Sequence, residues 1–469
     1  MSSYTIKETM ATQDEVQNDP LLQASESDGH EEFNGASFTG AVLNLATAII
    51  GAGIMALPAT MKILGLVPGI VMILLMAFLT DKTIEFLLSF SGVGNARRSY
   101  GGLMEDSFGK TGRIVLQVAV LVTNVGVLIV YMIIIGDVLE GMLEGWFGES
   151  WWDKRTIVLL FTTLCAFAPL TSFKRIDTLR FTSALSLVLA VVFLVITAGI
   201  VVTKFYRGGL MKPRLFPNVT DLSSVWKLFT VVPVLVNAYI CHSNVHNIQN
   251  ELEDSIQMKP VVRSALVMSS SVYVMTSLFG YLLFGESTLD DVLANFDTDL
   301  KIPFGPVLSD AVRLSYAGHL MLVFPVIFYP LRVNMDGLLF PTATPSLTTS
   351  NLRFGSITAA LVAVIFVGAN FIPSMWDAFQ LTGATTSVCI GFIFPAAVIL
   401  KGRHNRATKM DKTVAIFVIV LAVFSSAIAL YSDAYALVKK NKIHMFNVSR
   451  FVLLLYVKPK RVIGDIRCL

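Results

Sequence analysis

The sequence predicts an all-α polytopic membrane protein of about eleven transmembrane helices, built as an inverted five-plus-five repeat with its first and sixth helices broken. Three observations predict it. The 469 residues are 54% hydrophobic and only 15% charged, with a mean hydropathy of +0.68, too apolar for a water-soluble domain. Apolar windows of spanning length recur along the chain. Two of them, five helices apart, are interrupted by polar or helix-breaking residues. A formal charge of +3 without basic, aromatic-flanked patches excludes a nucleic-acid binder and leaves lipid and a small solute as partners.

The elements follow in order. Residues 1–37 carry Glu8, Asp14, Glu15, Asp19, Glu26, Asp28, Glu31 and Glu32 against Lys7 alone, with no basic-then-apolar leader, so this acidic tail is expected to be disordered and free of a cleavable signal. The transmembrane domain covers 38–437. Its windows fall at 38–61, 66–90, 114–138, 156–172, 178–203, 226–247, 261–284, 309–331, 355–373, 377–400 and 413–437. Lengths near 20 residues fit helices, which satisfy their own backbone in hydrocarbon, and not ten-residue barrel strands. The basic tail 438–469 contains Phe451–Tyr456, too short to span, and is assigned no role. Cys165, Cys241, Cys389 and Cys468 show neither disulfide nor metal spacing, and no cofactor is implied.

Lys and Arg in the short loops set the orientation. A cytosolic N-terminus puts Arg97, Arg98, Lys110, Arg113, Lys174, Arg175, Arg180 and the basic run 401–412 in the cytosol. It places the acidic loops with Glu140, Glu144 and Glu149 and with Glu286, Asp290, Asp291, Asp297 and Asp299 on the far side. Lys204, Arg207, Lys212 and Arg214 oppose it, but their loop carries the sequon Asn218-Val219-Thr220, a candidate glycosylation site whose modification requires the far side.

Within the first span, Asn44 to Pro58 contains Gly51-Ala52-Gly53 and a proline, which predicts a break at mid-membrane. A break frees N–H groups that attract a carboxylate and carbonyls that attract a cation, the two ends of an amino acid. Close helix packing is the alternative use of the glycines. The run also fits a dinucleotide fingerprint, but no strand precedes it. The sixth span holds Asn237-Ala238-Tyr239-Ile240-Cys241-His242-Ser243-Asn244, the most polar membrane segment, where the repeat places the partner break. His242 and His246 have metal-pair spacing but lack the glutamate of a zinc protease, and no catalytic constellation emerges, so the chain reads as a non-enzyme. His242 and His319 are the titratable groups at depth and candidate proton carriers, or hydrogen-bonded neutral histidines. Asp81, Lys82, Glu85 and Asp137 fall near span ends. Thr382–Ser387 offers hydroxyls to a cavity or to its own helix carbonyls.

These residues carry a family resemblance. Asn44–Pro58, the Ile240-Cys241-His242 segment with Val245, Ile248 and Glu251-Leu252 downstream, and Arg313-Leu314 with Phe324 to Arg332 resemble the amino acid/auxin permease family, which includes sodium-coupled neutral amino-acid transporters and vacuolar AVT-type transporters. The resemblance covers about 38–437. It implies a fold of the amino acid-polyamine-organocation type with substrate at the two unwound segments. The substrate candidates are then Thr47, Ile50, Gly51, Ala52, Gly53, Asn237, Tyr239, Cys241 and His242. In sodium-coupled members a first-helix asparagine and an eighth-helix hydroxyl hold the ion. Asn44 matches the first, but 318–323 has no hydroxyl, so the coupling ion, H+ or Na+, stays open, with Asn44, His242 and His319 as candidates. The AVT-type branch implies a vacuolar membrane and neutral amino acids exported to the cytosol, as symporter or antiporter, with the plasma membrane or another endomembrane as alternative. A rival function is a membrane sensor that binds amino acid without net transport.

Overall fold

The computed structural model describes residues 37–457 except 91–98, 149–153, 175–179, 341–346, 348, 373 and 402–406. The expected disorder of 1–37 therefore lies almost wholly outside the described residues, as do Arg97, Arg98, Glu149, Arg175, Arg403 and Arg406. The chain is all-helical, with no strand among the described residues. Helices α1 (Phe38–Ile49) and α2 (Gly53–Leu64) form a single span bent by 59° at the expected break. There follow α3 (Leu66–Phe90) and α4 (Tyr100–Phe147), the latter kinked at Gly109, whose φ of 71° suits glycine. Next come α5 (Arg155–Thr162), continued by a wide turn into α6 (Ala168–Thr171), and α7 (Arg180–Tyr206).

After α8 (Leu222–Phe229) the sixth span divides into α9 (Val231–Ala238) and α10 (His242–Glu251). Then α11 (Met258–Phe284), short α12 (Val292–Asn295), α13 (Gly305–Leu339) and α14 (Asn351–Phe371) lead to the tenth span. That span is α15 (Met375–Thr382) and α16 (Phe394–Lys401), joined by wide π-helical turns at Gly383–Ser387 and Cys389–Ile393. The last helix, α17, runs Lys409–Val457 and so extends into the tail to which the sequence assigned no span.

Eight described helices are long and apolar enough to cross a membrane, and nine if the bent pair is one span. The expected eleven also counted 66–90, now α3 with 25 residues, and 156–172, realised as the shorter apolar run Arg155–Thr171.

Why these helices assemble follows from their two faces. Val71, Leu74 and Phe78 on α3, Val115, Val118 and Val122 on α4, and Leu185, Val188 and Val195 on α7 recur at helical spacing and are exposed, a surface suited to lipid. The opposite faces pack inward, α13 most extensively against α7 and α4, and α11 against α1, α2 and α3. Charge collects at two rims. At one, Lys62 Nζ donates to the Thr288 carbonyl at 2.9 Å and Arg214 pairs with Glu286 at 3.5 Å. At the other, Glu85 meets Lys82 (2.8 Å) and Lys259 (3.0 Å), and Arg263 faces Asp81 at 3.6 Å. Between the rims the two helix breaks lie side by side.

Candidate functional site

The first break is short because only Ile50, Gly51 and Ala52 leave the helix. Ile50 has an extended ψ of 93°, which ends α1, and α2 restarts at Gly53 without a side-chain cap. The second break spans Tyr239 to Cys241. Glycine is required where the two meet. A Cβ on Gly53 would sit 2.8 Å from the Ala238 Cα and 3.1 Å from the Phe379 ring, and one on Gly51 would overlap the Tyr131 hydroxyl. Close packing and the break are thus both realised at the same residues.

Three successive carbonyls at the first break each meet a polar side-chain group from another helix. Tyr273 Oη lies 2.7 Å from the Ile49 carbonyl and 2.7 Å from the Ala238 carbonyl, bridging the two breaks. His319 Nε2 lies 3.1 Å from the Ile50 carbonyl, and Tyr316 Oη donates to the Gly51 carbonyl at 2.6 Å. The break is therefore a satisfied polar structure inside an apolar bundle.

A small cavity opens between the breaks and the third and tenth spans. Centres of water-sized spheres can occupy about 40 Å³ there, room for about three or four waters. Of the expected substrate residues, Gly51, Ala52, Gly53 and Asn237 line it. Thr47, Ile50, Tyr239, Cys241 and His242 are placed outside that lining. Tyr239 Oη pairs with Ser270 Oγ at 2.9 Å and His242 Nε2 with Thr83 Oγ1 at 2.9 Å. Asn237 is also committed elsewhere: its amide donates to the Phe379 carbonyl and Thr382 Oγ1, both at 3.2 Å, and its oxygen accepts from Ser387 Oγ at 2.7 Å. The hydroxyls of 382–387 thus fasten the sixth span to the tenth, and Thr386 Oγ1 accepts from Thr123 at 2.7 Å.

The cavity adds lining residues that the sequence did not mark as substrate candidates: Thr123, Asn124 and Tyr131 from α4, and Ser243 and Asn244 from the polar run of the sixth span. A signal existed for the first two, a polar pair inside an apolar span. Among the described residues, none of the lining side chains is Asp, Glu, Lys, Arg or His. Asn44 is exposed on α1 and His319 is buried in contact with the break. Asn218 is exposed in the loop before α8. Two arginines, Arg313 and Arg332, are buried near span ends. Arg313 pairs with Asp297, whereas Arg332 donates to the carbonyls of Thr171 (2.6 Å) and Phe173 (3.0 Å) and covers the Phe354 ring at 4.0 Å.

Two broken helices crossing at an uncharged cavity within an apolar bundle define a membrane transporter of the broken-helix class. The family model described as transmembrane amino acid transporter protein matches residues 34–436, and the chain belongs to that family. It is 74% identical to Amino acid transporter AVT6B of Arabidopsis thaliana over 92% of this chain and 99% of that one. It is 42% identical to Amino acid transporter AVT6C of the same plant over 89% and 97%. A distant relative, Solute carrier family 38 member 10 of Homo sapiens, is 26% identical over 79% of this chain and 33% of the longer protein. Among solved structures, Mhp1, a nucleobase-cation-symport-1 family transporter in a closed conformation with bromovinylhydantoin bound, superposes with a TM-score of 0.56 at 11% identity, over 86% of this chain and 94% of that one. That likeness supports the fold. The class of function is transport of amino acids across a membrane, with no enzymatic role.

Proposed function

We propose that the chain is a secondary active transporter that moves neutral amino acids by alternating access, from vacuole to cytosol, with its N-terminus in the cytosol. The observation that carries the substrate assignment is the lack of an ionisable acid, base or imidazole in the described cavity lining. An amino acid has two backbone charges that a helix break can serve. The N-terminal end of α2, opening at Gly53, is partially positive and suits the carboxylate. The negative C-terminal end of α9 at Ala238, with the side-chain oxygens of Thr123, Asn124, Ser243 and Asn244, suits the ammonium. A third charge on the substrate side chain would be buried without a partner, which costs several kcal/mol, on the order of a broken buried ion pair. The small volume further favours small side chains.

The vacuolar membrane is proposed from the AVT-type resemblance, and the orientation from the loop charges. The specificity is tested by competition: in proteoliposomes, excess alanine, serine or glutamine suppresses uptake of a labelled neutral amino acid, while excess aspartate or lysine leaves it within about twofold. Aspartate or lysine competing as well as alanine would refute the neutral assignment.

A further inference from the structure

Of the three donors that hold the first break, His319 alone is of a type that titrates near neutral pH, and its surroundings are asymmetric in a way that depends on its charge. Its Nδ1 lies 2.7 Å from the Ser186 carbonyl on α7, and its Nε2 lies 3.1 Å from the Ile50 carbonyl in the break. Both partners can only accept. A neutral imidazole carries one N–H and one lone pair, so in either tautomer one ring nitrogen points its lone pair at a carbonyl oxygen. An imidazolium donates to both. The ring is fully buried, which opposes the charge, so the two protonation states are each favoured by one feature of the site and disfavoured by another. The titratable groups nearby are phenols, namely Tyr316 on the same helix with its ring 5.0 Å away, Tyr131 on α4 and Tyr273 on α11. Asp291, before α12, acts on Tyr316 at longer range. Among the described residues no charged side chain acts on His319 itself, and α1 and α7 face it with carbonyls.

We propose that His319 is the proton-coupling site of this transporter, a latch that ties the first break to α7 and α13 when protonated and releases it when neutral. The step is a reversible protonation: a proton from solvent adds to the bare ring nitrogen on one side of the cycle and returns to solvent on the other. While the ring is charged, Ser186, Ile50 and Gly51 are held by α13 through His319 and Tyr316. Once it is neutral, one of the two carbonyls loses its donor, either Ser186 on α7 or Ile50 in the bend, so the ring no longer ties the bend to α7. Because the cavity is lined by Gly51, Ala52 and Gly53, the geometry of the substrate site changes with the proton.

This inference rests on the transport reading, and the experiment separates the two. Wild-type and His319→Gln proteins are reconstituted, and labelled neutral amino acid is followed under a pH gradient, under a sodium gradient, and in exchange at equal pH. One proton per solute supports about tenfold accumulation per pH unit in the wild type. His319→Gln, which cannot titrate, is expected to exchange label yet accumulate to equality only. Equal gradient-driven accumulation by both proteins would overturn the latch. Wild-type exchange that answers only to sodium would overturn it too, with the transport reading intact, whereas no exchange or uptake by the wild type would remove that reading and the latch together. Should His319→Gln fail to fold, ring ¹⁵N shifts of histidine-labelled wild type decide. A titration between about pH 5 and 8 supports the latch, and a single neutral tautomer throughout overturns it.

Discussion

At the scale of single residues, the site depends on positions where a missing Cβ or a single hydrogen-bond donor decides the geometry. Gly53→Ala pushes a methyl to 2.8 Å from the Ala238 backbone, which cannot move as a flexible side chain would. Overpacking of this kind costs about 1–3 kcal/mol, so flux is expected to fall by about tenfold or more. Gly145→Ala, with nothing within 4 Å of the added Cβ, is the matched control and should transport normally. Uptake rates of the two variants at equal reconstitution check this. Gly51 and Gly53 were legible from the sequence because two glycines and a proline inside a spanning helix point to a break, to close packing, or to both at once. Tyr131, Tyr273 and Tyr316 were not, since a tyrosine in an apolar run carries no mark of where its hydroxyl will end. The roles of Tyr273 and Tyr316 come from which backbone carbonyls the break exposes, and that of Tyr131 from its place in the cavity wall, facts of three-dimensional packing. Outside the membrane, burial raises the Asp291 carboxyl to about 7, against the opposing effect of the Leu293 N–H that it caps. The folded protein then holds this proton more tightly than the unfolded chain. That stabilisation is complete below the ordinary carboxyl value of 3.8 and is lost as pH rises through about 7. Asp291→Asn, an equivalent cap, should flatten the fall of thermal midpoint across this window, and a slope unchanged from wild type would contradict the assignment.

At the scale of elements, the breaks in α1–α2 and α9–α10 lie where helix count and polarity put them. The tenth span was not legible in the same way. Thr382–Ser387 reads as a run of small and hydroxylated residues, equally suited to a cavity wall or to helix back-bonding. Only the pairing of Asn237 with Thr382 and Ser387 makes it the support of the sixth break. Wide turns at Gly383–Ser387 and Cys389–Ile393 have no sequence signature, although such turns cluster at functional sites. Asn237→Ala leaves the Phe379 carbonyl and two hydroxyls to re-pair, and should lower stability by about 1–3 kcal/mol together with transport, whereas Asn237→Asp should fare no better because both amide donors are lost. The Arg332 cluster joins three elements: α13, the end of α6 and α14 through Thr358 Oγ1 at 3.2 Å. Arg332→Met strands the carbonyls of Thr171 and Phe173, and a thermal-shift assay in detergent should register a lower midpoint, equivalent to a loss of about 2–4 kcal/mol.

At the scale of the molecule, the fold class was the most readable feature, because lipid as solvent constrains composition, segment length and backbone pairing at once. The number of spans was less so: Arg155–Thr171 is shorter than the apolar window suggested, and the bent pair adds a ninth span only when its two halves are counted as one. The substrate site was half readable. The breaks were visible, but the lining contributed by α4 is set by how four spans converge, which no local pattern records. Passage of solute at the junction of the two breaks is tested most directly by uptake of a labelled neutral amino-acid mixture into proteoliposomes carrying wild-type or Gly53→Leu protein, with substrate binding measured in parallel. Saturable uptake by the wild type that Gly53→Leu abolishes is the predicted result. Measurable binding without flux under any gradient would contradict it and identify a sensor instead.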